Sequence, residues 1–376
     1  MPSLNPIITA LQVLALSSVG LSTVLPIVGP KHYDVSITTF ALNDSSRLDP
    51  FAKDNRTRAI MASTYLPVSS CSTKKAEKYM PPATAAFQND KFGAYGLPNG
   101  SFSALEVETC ASATKSKSCN TNQLPLVIFS GALATSRLIY SSMLQSIAAA
   151  GYIVVSLDHP YDTDFIEFPD GSTVTAIDID SDADVELAVT TRVQDIAFLY
   201  TQLTNTSSAG YIPGMPKDPK TAVIGHSVGG AAAAAAVMQL PYLRGALNID
   251  GSMFGPVLST GTSKPFMLLG HENKTQATDP SWASIWPNLS GWKAEYEVKG
   301  SAHYGFSDLP LITAALGLQE VLPKEVGGVL GTIEGKRMQG ISVEFTVAFL
   351  EMVVKGGKER ALKKAARKFG EVKKVG

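Results

Sequence analysis

The residues Gly225 to Gly229 follow the pattern Gly-x-Ser-x-Gly, with Ser227 at the centre. The apolar run Thr221–Ile224 before the pattern predicts a short buried strand, and the alanine-rich run from Ala231 predicts a helix. A serine on so tight a strand-to-helix turn has a strained backbone, and its hydroxyl is exposed at the positive end of the helix. The pattern therefore predicts that Ser227 is a nucleophile.

A nucleophilic serine of this kind needs a histidine as its base. The candidates are His32, His159, His226, His271 and His303. In hydrolases with this turn the chain order is serine, acid, histidine, which excludes the two that precede the turn. His226 is adjacent to Ser227, and we expect its side chain to point away from the hydroxyl. His271 comes too early if an acid must lie between, which favours His303, in a Gly/Ser-containing loop after the last predicted strand.

The acid that orients the base is predicted at Asp250, which ends the strand Ala246–Asp250 and precedes a glycine. A carboxylate at a strand end is well placed to accept a hydrogen bond from imidazole and to stabilise the imidazolium. Glu272, one strand later, is the competitor. Asp279 and Asp308 are weaker candidates that we expect to be solvated. Position favours Asp250 without deciding between it and Glu272.

Two backbone N–H groups are needed to stabilise an oxyanion. One is expected from Val228, the residue after the nucleophile. The other is expected from Leu133, in the loop after the predicted strand Leu124–Ser130. The small residues that let this loop approach a substrate are Gly131, Ala132 and Ala134.

The elements that position these groups alternate between strands and helices from residue 124 onward. The predicted strands are Leu124–Ser130, Tyr152–Asp158, Thr221–Ile224, Ala246–Asp250, Pro265–Gly270 and Trp292–Lys299, and the predicted helices are Ser136–Ala150, Val189–Leu203, the alanine-rich run and Ile341–Val354. This alternation predicts an α/β fold whose mostly parallel sheet is covered by helices on both faces. Two earlier strands are expected at Tyr33–Leu42 and Arg58–Val68, followed by a loop-rich excursion over residues 69–123.

Five segments in order carry a resemblance to a known family. They are "GPKHYDVSITTFALNDSSRLDPFA", "VIFSGALATSRLIYSSMLQSIAAAGYIVVSLDHP", "GHSVGG", "ALNIDGSMFGP" and "GSAHYGFSD". The chain resembles the platelet-activating-factor acetylhydrolases, the lipoprotein-associated, calcium-independent phospholipase group of α/β-hydrolases, and most of all their secreted fungal members. The resemblance covers most of the chain after the leader. It implies an α/β-hydrolase fold and a serine esterase that removes the short sn-2 acetyl group of a glycerophospholipid without metal or cofactor.

Position by position, the resemblance implies that Ser227 is the nucleophile, Asp250 the acid and His303 the base, with oxyanion donors at Leu133 and Val228. It thus favours Asp250 over the competing glutamate. The family often has His-Gly at the start of the oxyanion loop, where this chain has Gly-Ala. That departure leaves the rigidity of the loop and the acyl preference open.

The N-terminal segment Ile7–Val28 is largely apolar, and no charged side chain precedes Lys31. It resembles a secretory signal spanning residues 1–20, with an uncleaved membrane anchor as the alternative. Six N-x-S/T sequons support export, at Asn43, Asn55, Asn99, Asn205, Asn273 and Asn288. We therefore expect a secreted glycoprotein whose residues 21–376 form a single α/β-hydrolase domain.

Composition excludes several other classes. A net charge of −1 gives no reason to expect nucleic acid as a partner, and no C-x-x-C spacing suggests zinc. The cysteines Cys71, Cys110 and Cys119 allow at most one internal disulfide, whose pairing the sequence leaves open. The acidic run Asp178–Asp184 lacks the glycine and glutamate of an EF-hand loop, so we expect it to be a solvated loop without calcium.

The basic tail, residues 355–376, has two interpretations. A basic amphipathic helix could make transient contact with an anionic membrane or lipid surface. Because only Leu362 and Phe369 are large on its apolar side, a solvated, frayed terminus is favoured. The apolar region Leu309–Gly331 fits a rim that admits lipid and core packing equally well.

Two alternative functions remain beside the acetylhydrolase. The same catalytic groups would serve a broad-specificity carboxylesterase or polyester hydrolase. A catalytically inactive hydrolase fold used as a binding module is disfavoured, because Ser227, Asp250 and His303 are all present.

Overall fold

The computed structural model describes residues 22–111, 117–118, 123–205, 212 and 215–376. The strands are β1 Thr23–Leu25, β2 Asp34–Leu48, β3 Thr57–Ser70, β4 Lys74–Lys78, β5 Leu105–Cys110, β6 Lys117–Ser118, β7 Leu126–Ser130, β8 Ile153–Asp158, β9 Phe165–Glu167, β10 Thr173–Thr175, β11 Thr221–His226, β12 Leu243–Ile249, β13 Phe266–His271, β14 Lys293–Val298 and β15 Val372–Lys374. The helices are α1 Pro82–Gly93, α2 Ser101–Ala104, α3 Ser141–Ala149, α4 Asp182–Thr204, α5 Val228–Gln239, α6 Val257–Thr260, α7 Pro280–Ile285, α8 Leu309–Ala315, α9 Lys324–Leu330, α10 Gly335–Lys355 and α11 Arg360–Lys368. The predicted leader and Cys119 lie outside the described residues.

The main sheet has the strand order β15-β14-β13-β12-β11-β7-β8-β3-β2, with β6 also paired to β3. The six strands from β14 to β8 are parallel to one another, and β2, β3 and β15 run antiparallel to their neighbours. This arrangement confirms the predicted mostly parallel sheet. The carboxyl ends of the parallel strands meet at one edge, where α/β folds carry their sites.

Helices bury both faces of the sheet, as a parallel sheet requires. Along β7, Val127 and Phe129 pack on the side of α3 and α10, while Leu126 and Ile128 pack on the side of α4 and α5. Helix α5 is almost all small residues, and Ala231 to Ala236 are buried between α4 and the strands β11 and β12. Small side chains let this helix lie close to the sheet directly behind Ser227.

The region 69–123 is more ordered than the predicted loop-rich excursion. It contains β4, α1, α2 and β5, and β5 pairs with β4 antiparallel and with β1 parallel. A disulfide joins Cys71 to Cys110, which answers the pairing question for the described cysteines. The sequence "KKAEK" of β4 is mostly exposed, so it lacks the apolar alternation by which a strand is detected.

The C-terminal tail does not fray, so the favoured interpretation of a solvated terminus was wrong. Leu362 and Ala365 of α11 are buried, and β15 adds an antiparallel strand to β14. Phe369 is also buried, against the helix α10 at Gly340. The apolar side of the tail helix thus packs on the protein itself rather than facing outward as a lipid-binding surface would. No helix in the described residues is long and apolar enough to span a membrane.

Candidate active site

Ser227 lies on the turn between β11 and α5 with φ 57° and ψ −127°, a strained conformation for a residue other than glycine. Its amide donates a hydrogen bond to the carbonyl of Ile249, at 2.9 Å. A Cβ at Gly225 would lie 1.9 Å from the carbonyl oxygen of Gly229, and a Cβ at Gly229 would lie 2.1 Å from that of Ser130. The two glycines of the motif are therefore required by the close approach of three backbone segments.

His303 lies next to Ser227 on the segment that follows β14. It is the first residue of a short 3₁₀ helix, His303–Phe306, after β14. Its Nε2 lies 3.0 Å from the Ser227 hydroxyl, and its Nδ1 lies 2.5 Å from Oδ2 of Asp250. The structure thus brings together the three side chains that the sequence singled out, in the order hydroxyl, imidazole, carboxylate.

Asp250 directly follows β12, with a positive φ of 60° and a fully buried side chain. Burial opposes its ionisation, but hydrogen bonds from His271 and His303 hold the pKa of the carboxyl well below its usual value. An ionised carboxylate only accepts hydrogen bonds, so Nδ1 of His303 carries the proton. In the neutral imidazole, Nε2 of His303 then presents its lone pair to Ser227.

His271 is a site residue that the sequence reasoning did not assign, having considered it only as a base. Its backbone N–H lies 2.8 Å from Oδ1 of Asp250, and its Nδ1 contacts both carboxylate oxygens at 2.7 and 2.8 Å. The signal that would have found it is position, since His271 ends β13, the strand beside the one that ends at Asp250. Side chains at the carboxyl ends of adjacent parallel strands lie close together.

The other acid candidates lie in different surroundings. Glu272 is exposed and accepts a hydrogen bond from the amide of Gly300, at 3.0 Å. Asp279 caps α7 and pairs with Lys274 at 2.6 Å. Burial raises the pKa of Asp308 to about 6 in spite of four hydrogen bonds from surrounding groups. Both aspartates are buried, so the prediction that they are solvated was wrong.

The loop 131–134 lies beside the serine turn, and each of its residues has a hydrogen bond, including the Leu133 carbonyl, which accepts from the Thr135 hydroxyl at 3.1 Å. The contacts are Arg192 Nη1 to the Gly131 carbonyl at 2.5 Å, Ala132 N–H to Tyr140 Oη at 3.1 Å, Ala134 N–H to the Asp162 carbonyl at 2.9 Å, and Lys91 Nζ to the Ala134 carbonyl at 2.8 Å. Among the described residues we find no protein acceptor for the amides of Leu133 or Val228. These two N–H groups are therefore free to bind an oxyanion.

His226, as expected, is turned away from the serine hydroxyl. Its Nδ1 lies 2.8 Å from Tyr140 Oη, and its Nε2 lies 2.9 Å from the backbone carbonyl of His303. Burial lowers the pKa of His226 to about 3, with the charge of the neighbouring His303 acting in the same direction. His226 is therefore neutral at physiological pH.

A buried charged network lies behind the loop 131–134. His159 contacts Ser130 Oγ through Nε2 at 3.0 Å and Asp195 through Nδ1 at 2.8 Å. Burial opposes ionisation of Asp195, but Arg58 and His159 hold its pKa far below the usual value. These residues are separate from the group around Ser227. Nothing local in the sequence indicates this network, because its residues are distant from one another along the chain.

Only one cluster in the described residues brings His, Cys, Asp or Glu ligand atoms together as a metal would need. It consists of His226, Asp250 and His303, whose atoms lie within 4.8 Å of one another. Both nitrogens of His226 already have partners, and His303 bridges Ser227 and Asp250. The ligand atoms of this cluster are thus already engaged in hydrogen bonds within the protein.

An apolar cavity of about 90 Å³ lies against Tyr304, the residue after His303. Its remaining walls come from α1 and the segment after it, and from the region Leu309–Gly331, with the residues Lys91, Phe92, Tyr95, Leu97, Leu309, Thr313, Val326, Val329 and Leu330. Leu309 and Ile312 of α8 are buried in the core, whereas α9 is half-buried at the cavity. The region thus contributes both to the core and to the wall of this cavity, and its role as a rim that admits lipid stays a prediction.

The family model described as platelet-activating factor acetylhydrolase, isoform II, matches residues 100–166 and 214–366, which is more than half of the chain. The chain belongs to this family. As a member of the platelet-activating factor acetylhydrolase isoform II family, the protein is a carboxylic ester hydrolase.

Two similar proteins extend the comparison beyond the family match. A probable 1-alkyl-2-acetylglycerophosphocholine esterase from Arthroderma benhamiae is 28% identical over 95% of this chain and 95% of its own length. The structure of a ferulic acid esterase from Streptomyces cinnamoneus superposes with a TM-score of 0.78 at 24% identity, covering 93% of this chain and 99% of that one. The second likeness shows the α/β-hydrolase fold of this family member.

Proposed function

We propose that this protein hydrolyses the short sn-2 acyl ester of platelet-activating-factor-like glycerophospholipids through Ser227, His303 and Asp250. The observation that carries the catalytic part is the hydrogen-bonded line from the Ser227 hydroxyl through both nitrogens of His303 to a buried carboxylate. The substrate class is supported by the fungal relative, whose name specifies an acetylglycerophosphocholine ester.

The proposed reaction begins when Oγ of Ser227 attacks the ester carbonyl and Nε2 of His303 takes the hydroxyl proton. The amides of Leu133 and Val228 bind the oxygen of the tetrahedral intermediate. His303 then gives the proton to the leaving lysophospholipid oxygen, and an acyl-enzyme remains on Ser227. Water attacks this ester with His303 again as base, and the proton returns to Ser227 as the free acid leaves.

The cavity beside Tyr304 is the proposed place for an apolar part of the substrate. Its walls are mainly aliphatic and aromatic, and they include Tyr304, the residue after His303, and Lys91, which donates to the carbonyl of Ala134. A cavity of about 90 Å³ is compatible with a short acyl chain.

The test is hydrolysis by the purified protein of an sn-2 acetyl ether phospholipid and of p-nitrophenyl acetate. Ser227→Ala is the inactive variant, and Ser252→Ala is the matched control, because the Ser252 hydroxyl bonds Asp279 and Lys274 instead. Phospholipid turnover that is lost in Ser227→Ala and kept in Ser252→Ala supports the proposal. Turnover of the simple ester alone would reassign the protein as a general carboxylesterase, and no turnover of either would refute the esterase mechanism.

Export from the cell is also proposed. The Cys71–Cys110 disulfide supports it, because such bonds persist in oxidising compartments. Five of the six sequon asparagines are exposed, namely Asn43, Asn55, Asn99, Asn205 and Asn273, while the amide nitrogen of Asn288 donates to the carbonyls of Leu258 and Ser284. Secreted protein from a eukaryotic host should therefore carry glycans on exposed sequons and none on Asn288, which peptide mass spectrometry tests. Retention in the cell without glycans would refute this proposal.

A further inference from the structure

A chain of hydrogen bonds joins the loop 131–134 to the backbone of the base. Ala132 N–H lies 3.1 Å from Tyr140 Oη, Tyr140 Oη lies 2.8 Å from His226 Nδ1, and His226 Nε2 lies 2.9 Å from the carbonyl oxygen of His303. We name these four residues the relay. Tyr140 and His226 are both fully buried, so neither can touch a substrate in this structure.

Hydrogen-bonding capacity fixes the direction of every bond in the relay. A carbonyl only accepts, so Nε2 of His226 must carry the proton and Nδ1 must present a lone pair. Tyr140 then donates its hydroxyl proton to Nδ1, and its oxygen accepts from the amide of Ala132. Burial raises the pKa of Tyr140 well above its usual value and lowers that of His226, so both stay neutral and this one pattern persists across physiological pH.

The relay decides which amide of the loop is available. Tyr140 occupies the N–H of Ala132, and Asp162 occupies that of Ala134, so Leu133 is left between them with a free N–H. The Tyr140 ring also fills the space beside Gly131, where an added Cβ would lie 3.0 Å from a ring carbon. Gly131 thus leaves room for the Tyr140 ring, and the amide of Ala132 donates to its hydroxyl.

We infer that Tyr140 and His226 are positioning residues, which hold the oxyanion loop and the His303 loop at a fixed separation. The inference rests on the proposed function, because the two loops supply the oxyanion donor and the base. Catalytic groups misplaced by about 1 Å lose up to about 100-fold in rate. Holding the Ala132 amide and the His303 carbonyl through one buried chain keeps both groups in place together.

The decisive variant is Tyr140→Phe, which keeps the ring packing and removes both hydrogen bonds of the hydroxyl. Tyr65→Phe is the matched control, because Tyr65 is equally buried and its hydroxyl donates to Ser141, which lies outside the relay. Each variant is assayed with p-nitrophenyl acetate, and its melting temperature is measured. We expect kcat to fall about 10-fold in Tyr140→Phe with KM within about twofold, and both to stay near wild type in Tyr65→Phe at a similar melting temperature.

A second pair of variants tests whether the relay acts as one unit. His226→Leu removes the bond to the His303 carbonyl, and His226→Gln retains a donor that can reach it. We expect His226→Gln to keep more of kcat than His226→Leu. The double variant with Tyr140→Phe should lose little more than His226→Leu alone, because residues in one network are non-additive.

Three results would overturn the inference while the proposed function still stands. The first is wild-type kcat in Tyr140→Phe while Ser227→Ala is inactive. The second is a loss of kcat in Tyr65→Phe equal to that in Tyr140→Phe. The third is a double variant whose loss of kcat is the product of the losses in the two single variants. An active Ser227→Ala would instead refute the proposed function itself. The two failures are therefore distinguishable in the same set of assays.

Discussion

Nδ1 of His271 lies 2.7 Å from Oδ1 and 2.8 Å from Oδ2 of Asp250, so the carboxylate that faces His303 is also held by a second imidazole. The side chain of His271 is 32% exposed, whereas that of Asp250 is fully buried. His271 therefore stands at the rim of the site and fixes the rotamer of a carboxylate whose own backbone is left-handed. With His271 contacting both carboxylate oxygens, a remaining lone pair of Oδ2 accepts the hydrogen bond from Nδ1 of His303.

The first prediction concerns this contact. His271→Ala removes the donor and should lower kcat about 10-fold with little change in KM, because Asp250 can then turn away from His303. His271→Asn places an amide nitrogen close to the position of Nδ1 and should recover most of the loss. Steady-state kinetics on p-nitrophenyl acetate checks both. Wild-type kcat in His271→Ala would show that the neighbouring backbone alone holds Asp250.

The second prediction distinguishes the two acids that the sequence could not separate. Asp250→Asn should lower kcat by about 10³- to 10⁴-fold, because an amide no longer selects the His303 tautomer with a free Nε2. Glu272→Gln should stay within about twofold of wild type, since that side chain is exposed and bonds the amide of Gly300. The measurement is kcat for the pair under the same conditions. A large loss in Glu272→Gln with little in Asp250→Asn would reverse the assignment.

Features of the site that depend on a local sequence pattern were predictable, whereas contacts between strands distant along the chain were harder to predict. Ser227 and the strand before it were predictable because the close backbone approach at Gly225 and Gly229 imposes a local motif. Asp250 was predictable as a strand end. His271 was missed as its partner because that contact depends on the register between β12 and β13.

The relay and the tail show the same limit. Tyr140 and His226 are 86 positions apart, so nothing local signals that their side chains meet. In the tail, two large apolar residues gave too weak a pattern for a packed helix. The buried site that they occupy lies against α10, and sequence periodicity does not show where that helix lies in space.

The third prediction is a pH dependence of stability at Asp279. Burial opposes its ionisation, but hydrogen bonds from Lys274, Ser252 and Ser281 lower its pKa from 3.8 to about 2. Between about pH 4 and pH 2 this carboxyl is protonated in the unfolded chain but still ionised in the folded one. The stabilisation is therefore complete above about pH 4 and is lost as the pH falls towards 2.

Asp279→Asn keeps a good N-cap for α7 and removes the charge together with the oxygen that accepts from Lys274 and Ser252. The variant should unfold more easily than wild type at pH 7, and the difference should narrow between pH 4 and pH 2. Urea titrations at several pH values measure it, with kcat at pH 7 as a control that should stay within about twofold. A difference that is constant across this pH range would show that the charge of Asp279 contributes nothing.

The last prediction tests whether the C-terminal helix belongs to the core. Leu362 is the fully buried residue of α11, and Leu362→Ala should cost about 2–5 kcal/mol of the free energy of unfolding, the range for a truncated core leucine. Lys364→Ala on the exposed side of the same helix should stay within about 0.5 kcal/mol. Urea unfolding followed by fluorescence measures both. Equal, small effects would mean that the helix frays in solution, and the terminus would then be free to lie on a lipid surface through the same apolar side.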